Sequence, residues 1–396
     1  MSVSYIDRQT LAAIAPAVKK ALDIDHTHYG WLLSAFSVAY LVGAPAAGVL
    51  VDRVGARRAF ALAVVVWSIV AASHYLVAGF ASLFALRILL GSAESPSFPS
   101  AAQAIRRALP GAQRPLAFGL LFTGSSIGAV IAGKLAVSLD ATYGWRNAFL
   151  GTALVGALWL PAWLLATRGF GLDRPAERPP EIVHQADWWT TVTSPAVLRA
   201  LIAVVGSAPA IMFVLNWTSQ YLVEAWHFKK EDVGNHLVVA PLVFDLGAVG
   251  FGWLASRREG SSSHPRTHVD LFIIAMLLAA CLALAPLAND PNTAIAIFAL
   301  SAAGGGGIYV LVTADMLARV PIDKTSSAGG MTAAAQSVAH IVAAPLLGRS
   351  IDRTHGYTQV LVSLGLLVLP TTLAFVFWPG MTAESHAHPP HDDPGR

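Results

Sequence analysis

The chain has 396 residues, 55% of them hydrophobic and 12% charged, with a formal net charge of +3 and a mean hydropathy of +0.59. Soluble domains carry about 25% charged residues, so this composition marks an integral membrane protein. The charge is small and sits in short loops between apolar runs, which excludes a nucleic-acid-binding surface, and a single cysteine, Cys281, excludes an intrachain disulfide.

In chain order, Met1 to Lys20 shows no cleavable signal peptide, and only Leu11 to Val18 is apolar enough to read as part of a span, its outer half. Five runs follow, near Gly30 to Val51, Ala59 to Ala78, Ser82 to Ala104, Leu116 to Leu139 and Asn147 to Ala166. Each has the roughly 20 residues that a helix needs to cross about 30 Å of hydrocarbon. Arg168 to Pro195 is rich in Pro, Arg, Glu and Asp and reads as a solvated linker. Six further runs lie near Leu198 to Val223, Leu237 to Ala255, Val269 to Leu287, Ala294 to Leu317, Ala328 to Leu347 and Thr358 to Trp378. Short alternating segments of a transmembrane barrel are absent from the sequence.

These runs predict an all-α membrane protein with a helix bundle over residues 1–167, a linker over 168–196, a second bundle over 197–380 and a disordered tail over 381–396. The tail carries His386, His388 and His391 among Pro and Asp; it reads as disordered rather than as a metal site, and no cofactor is expected. If the spans alternate, Arg53, Arg57, Arg58, Arg106, Arg107 and the basic linker share one side of the membrane. The excess of Lys and Arg makes that side cytoplasmic, together with the linker and the C-terminus. The expected location is a cell membrane, the inner membrane of a bacterium, and the expected working form is a monomer.

Charges inside apolar runs are costly in lipid and usually face a partner, a cavity or a transport path. Arg87 and Glu94 are such charges, seven residues apart and therefore on nearly one helix face, about 10 Å apart along the axis. Counting back from Lys19 puts Asp7 and Arg8 roughly 18 Å below the outer surface, close to the depth of Glu94. Asp245 falls near the middle of its span, as a substrate contact, an interhelical partner or a gate. Asp315 stands four residues before Arg319 near the cytoplasmic end, which suits an intrahelical pair or a gate. Tyr5 and Tyr40 offer hydroxyls or packing at the depth of Arg8. Ser125 and Ser126 either bind hydroxyls or let helices approach. Asn216, Trp217, Gln220 and Tyr221 form a polar and aromatic cluster, with an interfacial aromatic belt as the competing reading for Tyr221. Thr313 and Gln336 are further polar candidates. Lys134 either adds a cation to the cavity or snorkels to the outer interface.

Gly48-Val-Leu-Val-Asp52-Arg53-Val-Gly55-Ala-Arg57-Arg58, between the second and third spans, resembles the loop signature of the major facilitator superfamily, and Gly252 to Arg258 is a weaker echo in the second half. Tyr5-Ile-Asp7-Arg8-Gln9, Gly30-Trp31 through Tyr40, Arg87 with Gly91 and Glu94, and Phe98-Pro99 resemble its anion:cation symporter family. Gly144 to Phe149, Pro241 through Gly247 and Ala314-Asp315-Met316 look most like the hexuronate and sugar-acid branch. The resemblance implies two six-helix bundles around a central cavity, with the first helix here shortened at its cytoplasmic half. It implies uptake of an organic anion, a hexuronate or aldonate, together with a proton as the coupling ion. Asp7 and Glu94 would carry the proton. Arg8, Tyr5, Tyr40, Arg87, Ser125, Asn216 and Gln220 would face the substrate, and Asp52, Arg53, Arg57, Asp245 and Asp315 would gate or brace the bundles. The alternatives are a carrier of small mono- or dicarboxylates, a non-transporting membrane sensor, or a truncated inactive product. The sequence holds no nucleophile-base set, metal cluster or phosphate loop, so an enzyme is not expected.

Overall fold

A computed structural model describes residues 1–109, 114–173, 193–259, 268–319 and 325–378. Residues 174–192 of the expected linker and residues 379–396, with the expected tail histidines, lie outside the described residues. The side chain of Asp52 does too.

The described residues are helical throughout, with no strand among them. In the first half the helices are α1 (Ser2–Ala13), α2 (Ala15–Leu22), α3 (His26–Val54), α4 (Ala56–Ser73), α5 (Phe80–Glu94), α6 (Ser97–Ala108), α7 (Arg114–Tyr143) and α8 (Trp145–Ala166). The second half holds α9 (Pro195–Asn216), α10 (Thr218–Trp226), α11 (Lys230–His236), α12 (Val239–Glu259), α13 (Val269–Ala280), α14 (Pro291–Arg319), α15 (Thr325–Thr354) and α16 (Thr358–Phe377). Eight helical stretches among the described residues are long and apolar enough to cross a membrane. Large apolar side chains such as Leu158, Leu246, Val249 and Leu287 lie exposed on the outside. That is the arrangement expected where lipid is the solvent.

Several spans are broken, and each break has a local cause. Pro16, near the start of α2, cannot donate to a preceding carbonyl, so the first span restarts after Ile14. Pro96 follows Ser95 in the same way and splits the third predicted run into α5 and α6, leaving Glu94 as the last residue of α5. The seventh span breaks at Trp217, directly after Asn216. Gly55 joins α3 to α4 at φ 90°, a left-handed conformation that favours glycine. A Cβ there would stand 2.7 Å from the Leu172 carbonyl oxygen. The turn is held down by Arg57, whose amide donates to Leu172 O at 3.2 Å.

The two halves meet along two seams. One joins α3 to α15: an added Cβ at Gly30 would come within 2.3 Å of Ala344 O, and one at Gly348 within 2.1 Å of His26 O. The other joins α7 to α11 and α12, where Gly234 approaches Gly133 O. The largest apolar cluster runs through both halves and includes Leu11, Tyr29, Leu32, Phe213, Trp217 and Phe298.

Candidate functional site

Asp7 and Arg8 stand midway along α1, and α5 brings Arg87 and Glu94 against them. Arg8 Nη2 donates to Glu94 Oε2 at 3.1 Å. The Arg8 guanidinium carbon lies 4.7 Å from the Tyr5 ring centre, 4.6 Å from Phe36 and 4.8 Å from Tyr40, so three rings surround one cation. Arg87 approaches the same Phe36 ring at 4.8 Å. Phe36 is therefore a shared face for two guanidinium groups.

Burial divides this cluster. Glu94 is 0% exposed and Arg87 1%, while the Arg8 side chain keeps 21% of its surface open. Asp7 is buried and, among the described residues, neither of its carboxylate oxygens has a hydrogen-bond partner. The same holds for Glu94 Oε1, Arg87 Nε and Nη1, and both amide atoms of Gln220. Buried polar groups in folded proteins nearly always find partners, so a concentration of unpartnered ones marks a place built to receive a ligand, water or a proton.

The second half contributes from the facing side. Tyr309 lies near Tyr5, and His340 near Arg8; among the described residues the buried Nε2 of His340 has no partner. Tyr29 donates to the carbonyl of Asn216 at 2.8 Å, tying α3 to the break after α9. The side-chain amide of Asn216 turns back on its own helix and donates to Met212 O at 3.0 Å. Asp245 on α12 faces Ser126 on α7 across the seam between the halves. Ser125 is half-buried on the same helix as Ser126. Thr313 donates to Tyr309 O within its helix, and Gln336 is half-buried on α15. Tyr221 is buried against Phe298 and Tyr357 and does not form a lipid-facing belt. Lys134 is exposed on α7, in line with a snorkelling lysine, and Cys281 is half-buried with a free thiol.

Two ends of the molecule carry different ionic bonds. At the end holding the α2–α3 turn, bonds cross between halves: Lys19 to Glu224 at 3.0 Å, His26 to Glu224 at 2.7 Å and His26 to Asp352 at 2.8 Å. Thr27 adds its amide and hydroxyl to Asp352, Tyr357 donates to Glu224 at 2.7 Å, and Ser219 donates to Ala13 O at 2.7 Å. At the opposite end several ion pairs lie within one half. Arg57 reaches Asp173 at 3.0 Å, Thr167 at 3.1 Å and Leu164 O at 2.8 Å. Asp315 accepts from Arg319 at 3.0 Å, the intrahelical pair expected from the spacing, and also from the buried Arg199, which sequence spacing does not reveal. Arg53 is exposed beside this end. The end holding the α2–α3 turn is thus latched between the halves.

Glu224, His26 and Asp352 escape a reading by apolar runs because they lie at span ends. One signal was present for Asp352: Gly348-Arg-Ser-Ile-Asp352-Arg353 repeats the spacing of Gly48-Val-Leu-Val-Asp52-Arg53. His340 and Tyr309 carry no charge run or motif to draw attention to them.

The sequence profile of the Major Facilitator Superfamily matches residues 1–344. A hexuronate transporter of Bacillus subtilis (strain 168) is 25% identical over 94% of this chain and 91% of its own length. A D-galactonate transporter of Escherichia coli O6:H1 is 23% identical over 96% and 93%. Among solved structures, a bacterial homologue of the human lysosomal transporter Spinster, in an inward-facing and unoccupied conformation, superposes with a TM-score of 0.74 at 15% identity over 95% of this chain and 92% of that one.

Proposed function

Because the chain belongs to the major facilitator superfamily, a superfamily of transporters rather than enzymes, we propose that it carries a sugar acid of hexuronate or aldonate type into the cell together with a proton. The observation that carries this reading is the Arg8–Glu94 pair at 3.1 Å beside the unpartnered Asp7, inside a ring of aromatic faces. Relatives named for hexuronate and D-galactonate supply the substrate class.

The chemistry follows from competition for one cation. Arg8 is the open member of the cluster, and a guanidinium presents paired donors that fit a carboxylate. An incoming sugar acid takes those donors from Glu94. Glu94, fully buried, then faces no cation, and an isolated anion in such a place costs several kcal/mol. A proton neutralises it. The linkage runs both ways: protonation of Glu94 releases Arg8 for the anion, and the anion favours the proton. Asp7, next to the pair and without a partner, is the second proton carrier. Tyr5, Tyr40 and Phe36 hold the guanidinium plane in position and offer an apolar wall to the sugar's carbon face. Gln220 and His340, from the second half, offer donors and acceptors to its hydroxyls.

With the basic end cytoplasmic, the latched end faces outward, and these bonds hold the halves together on the outer side. Alternating access then requires the His26 end to release and the Arg57 end to close around the same cluster.

The test uses reconstituted vesicles with an imposed pH gradient and radiolabelled galacturonate and galactonate. The parent protein should accumulate one of them when the outside is acidic. Glu94→Gln should lose gradient-driven accumulation yet keep counterflow exchange within about tenfold, since only the titrating step is removed. Equal loss of both activities would assign Glu94 to bracing α1 against α5 and overturn the coupling role.

A further inference from the structure

We propose that His26 is a proton-operated latch: its imidazolium clamps the two halves shut at the α2–α3 end, and loss of that proton releases them. The ring stands between carboxylates of two different helices, with Nε2 2.7 Å from Glu224 and Nδ1 2.8 Å from Asp352. A carboxylate accepts and does not donate, so both contacts are hydrogen bonds only when both ring nitrogens carry hydrogen. A neutral ring has one bare nitrogen, and its lone pair then faces a carboxylate oxygen at hydrogen-bond distance. One clamp becomes a repulsion, and the cluster of Lys19, His26, Glu224 and Asp352 changes from balanced charge to an excess of one negative charge.

The other groups around the ring are accounted for. Lys19 and Tyr357 both bond Glu224, and the Tyr357 hydroxyl lies 3.4 Å from His26 Nε2. Asp25 is engaged by His28, and His355 shares with Glu224 and Asp352 the wall of a 760 Å³ cavity that opens beside the latch. Trp217 stacks on the opposite side of the imidazole, at 6.1 Å between ring centres. Burial would raise the Glu224 carboxyl, but bonds from His26, Lys19 and Tyr357 hold it down to about 2. Its contribution is present above the ordinary carboxylate range and is lost only as pH falls toward that value. Glu224 therefore remains ionised between about pH 5.5 and about pH 8. The His26 clamp needs hydrogen on both ring nitrogens, so it is complete while the ring is cationic and broken when one nitrogen is bare.

This latch is independent of the coupling role given to Glu94, and the test separates them by using a Glu94→Gln, Cys281→Ala background. Spin labels at Tyr143→Cys and Asn292→Cys, one on each half at the latched end, report its width in lipid nanodiscs. The wide population should rise about threefold or more between about pH 5.5 and about pH 8. Adding His26→Gln should remove that dependence, with a melting curve verifying the fold. Asp352→Asn, which keeps the histidine but removes the negative charge facing Nδ1, should move the transition to lower pH. A pH-independent distance in the background, or a dependence that survives His26→Gln, would overturn the latch, as would an unmoved transition in Asp352→Asn.

Discussion

Arg8 makes one hydrogen bond and three ring contacts, and the two kinds of contact respond differently to substitution. Lysine preserves the charge but has neither the planar fork for a carboxylate nor a flat face for Tyr5, Phe36 and Tyr40. Arg8→Lys should weaken sugar-acid binding by about 10- to 100-fold, roughly 1.4–2.8 kcal/mol, measured by ligand-induced thermal stabilisation of the purified protein. Arg8→Ala should abolish binding altogether. Normal binding by either variant would remove Arg8 from the substrate site. The buried Arg199–Asp315–Arg319 group makes a contrasting case, because there one acid accepts from two cations. Asp315→Ala strands Arg199, which is 2% exposed, and should cost about 3–5 kcal/mol of stability. The readout is a lowered melting temperature without a selective change in substrate affinity at a temperature where the variant is folded.

At the scale of helices, the depth of charges is legible from sequence. A rise of 1.5 Å per residue and a 3.6-residue turn convert chain separation into height and facing, and that arithmetic puts Asp7, Arg8 and Glu94 at one level, where the Arg8–Glu94 pair is found. Helix breaks are partly legible: Pro96 marks one directly, whereas Trp217 interrupts α9 and α10 with no breaker residue. Contacts between halves are not legible, because Lys19 and His26 lie far along the chain from Glu224 and Asp352 and all four resemble ordinary polar span ends. Glycine carries part of that hidden information. Gly30 and Gly348 let α3 and α15 touch backbone to backbone, with added Cβ atoms meeting carbonyl oxygens that cannot swing aside. Gly30→Ala and Gly348→Ala should each disfavour the latched arrangement by about 1–3 kcal/mol, the usual cost of overpacking. The spin-label pair at the latched end should then broaden toward longer distances in both. An unchanged distribution would mean that the seam yields elsewhere.

For the whole molecule, the consequence is an uneven distribution of bonds between halves. Asp352 joins α15 to the start of α3 through His26 and Thr27, while at the Arg57 end the Arg57–Asp173 and Arg319–Asp315 pairs each lie within one half. An equilibrium between two arrangements shifts by the difference in their bonds, so removing a bond present in only one arrangement populates the other. Asp352→Ala deletes the acceptor for several bonds at once, and about 1.4 kcal/mol of net stabilisation, a modest sum for hydrogen bonds to a charged group, is a tenfold change in population. Tyr40, whose ring faces Arg8, can report which end is open when replaced by cysteine in a Cys281→Ala protein. In oriented vesicles, a membrane-impermeant thiol reagent should modify Tyr40→Cys from the Arg57 side and only slowly from the His26 side. Adding Asp352→Ala should raise the rate from the His26 side by about tenfold and lower the rate from the Arg57 side as that population is drained. If both rates rise together, Asp352 stabilises the fold as a whole; if neither moves, the α3–α15 glycine seam alone keeps this end shut.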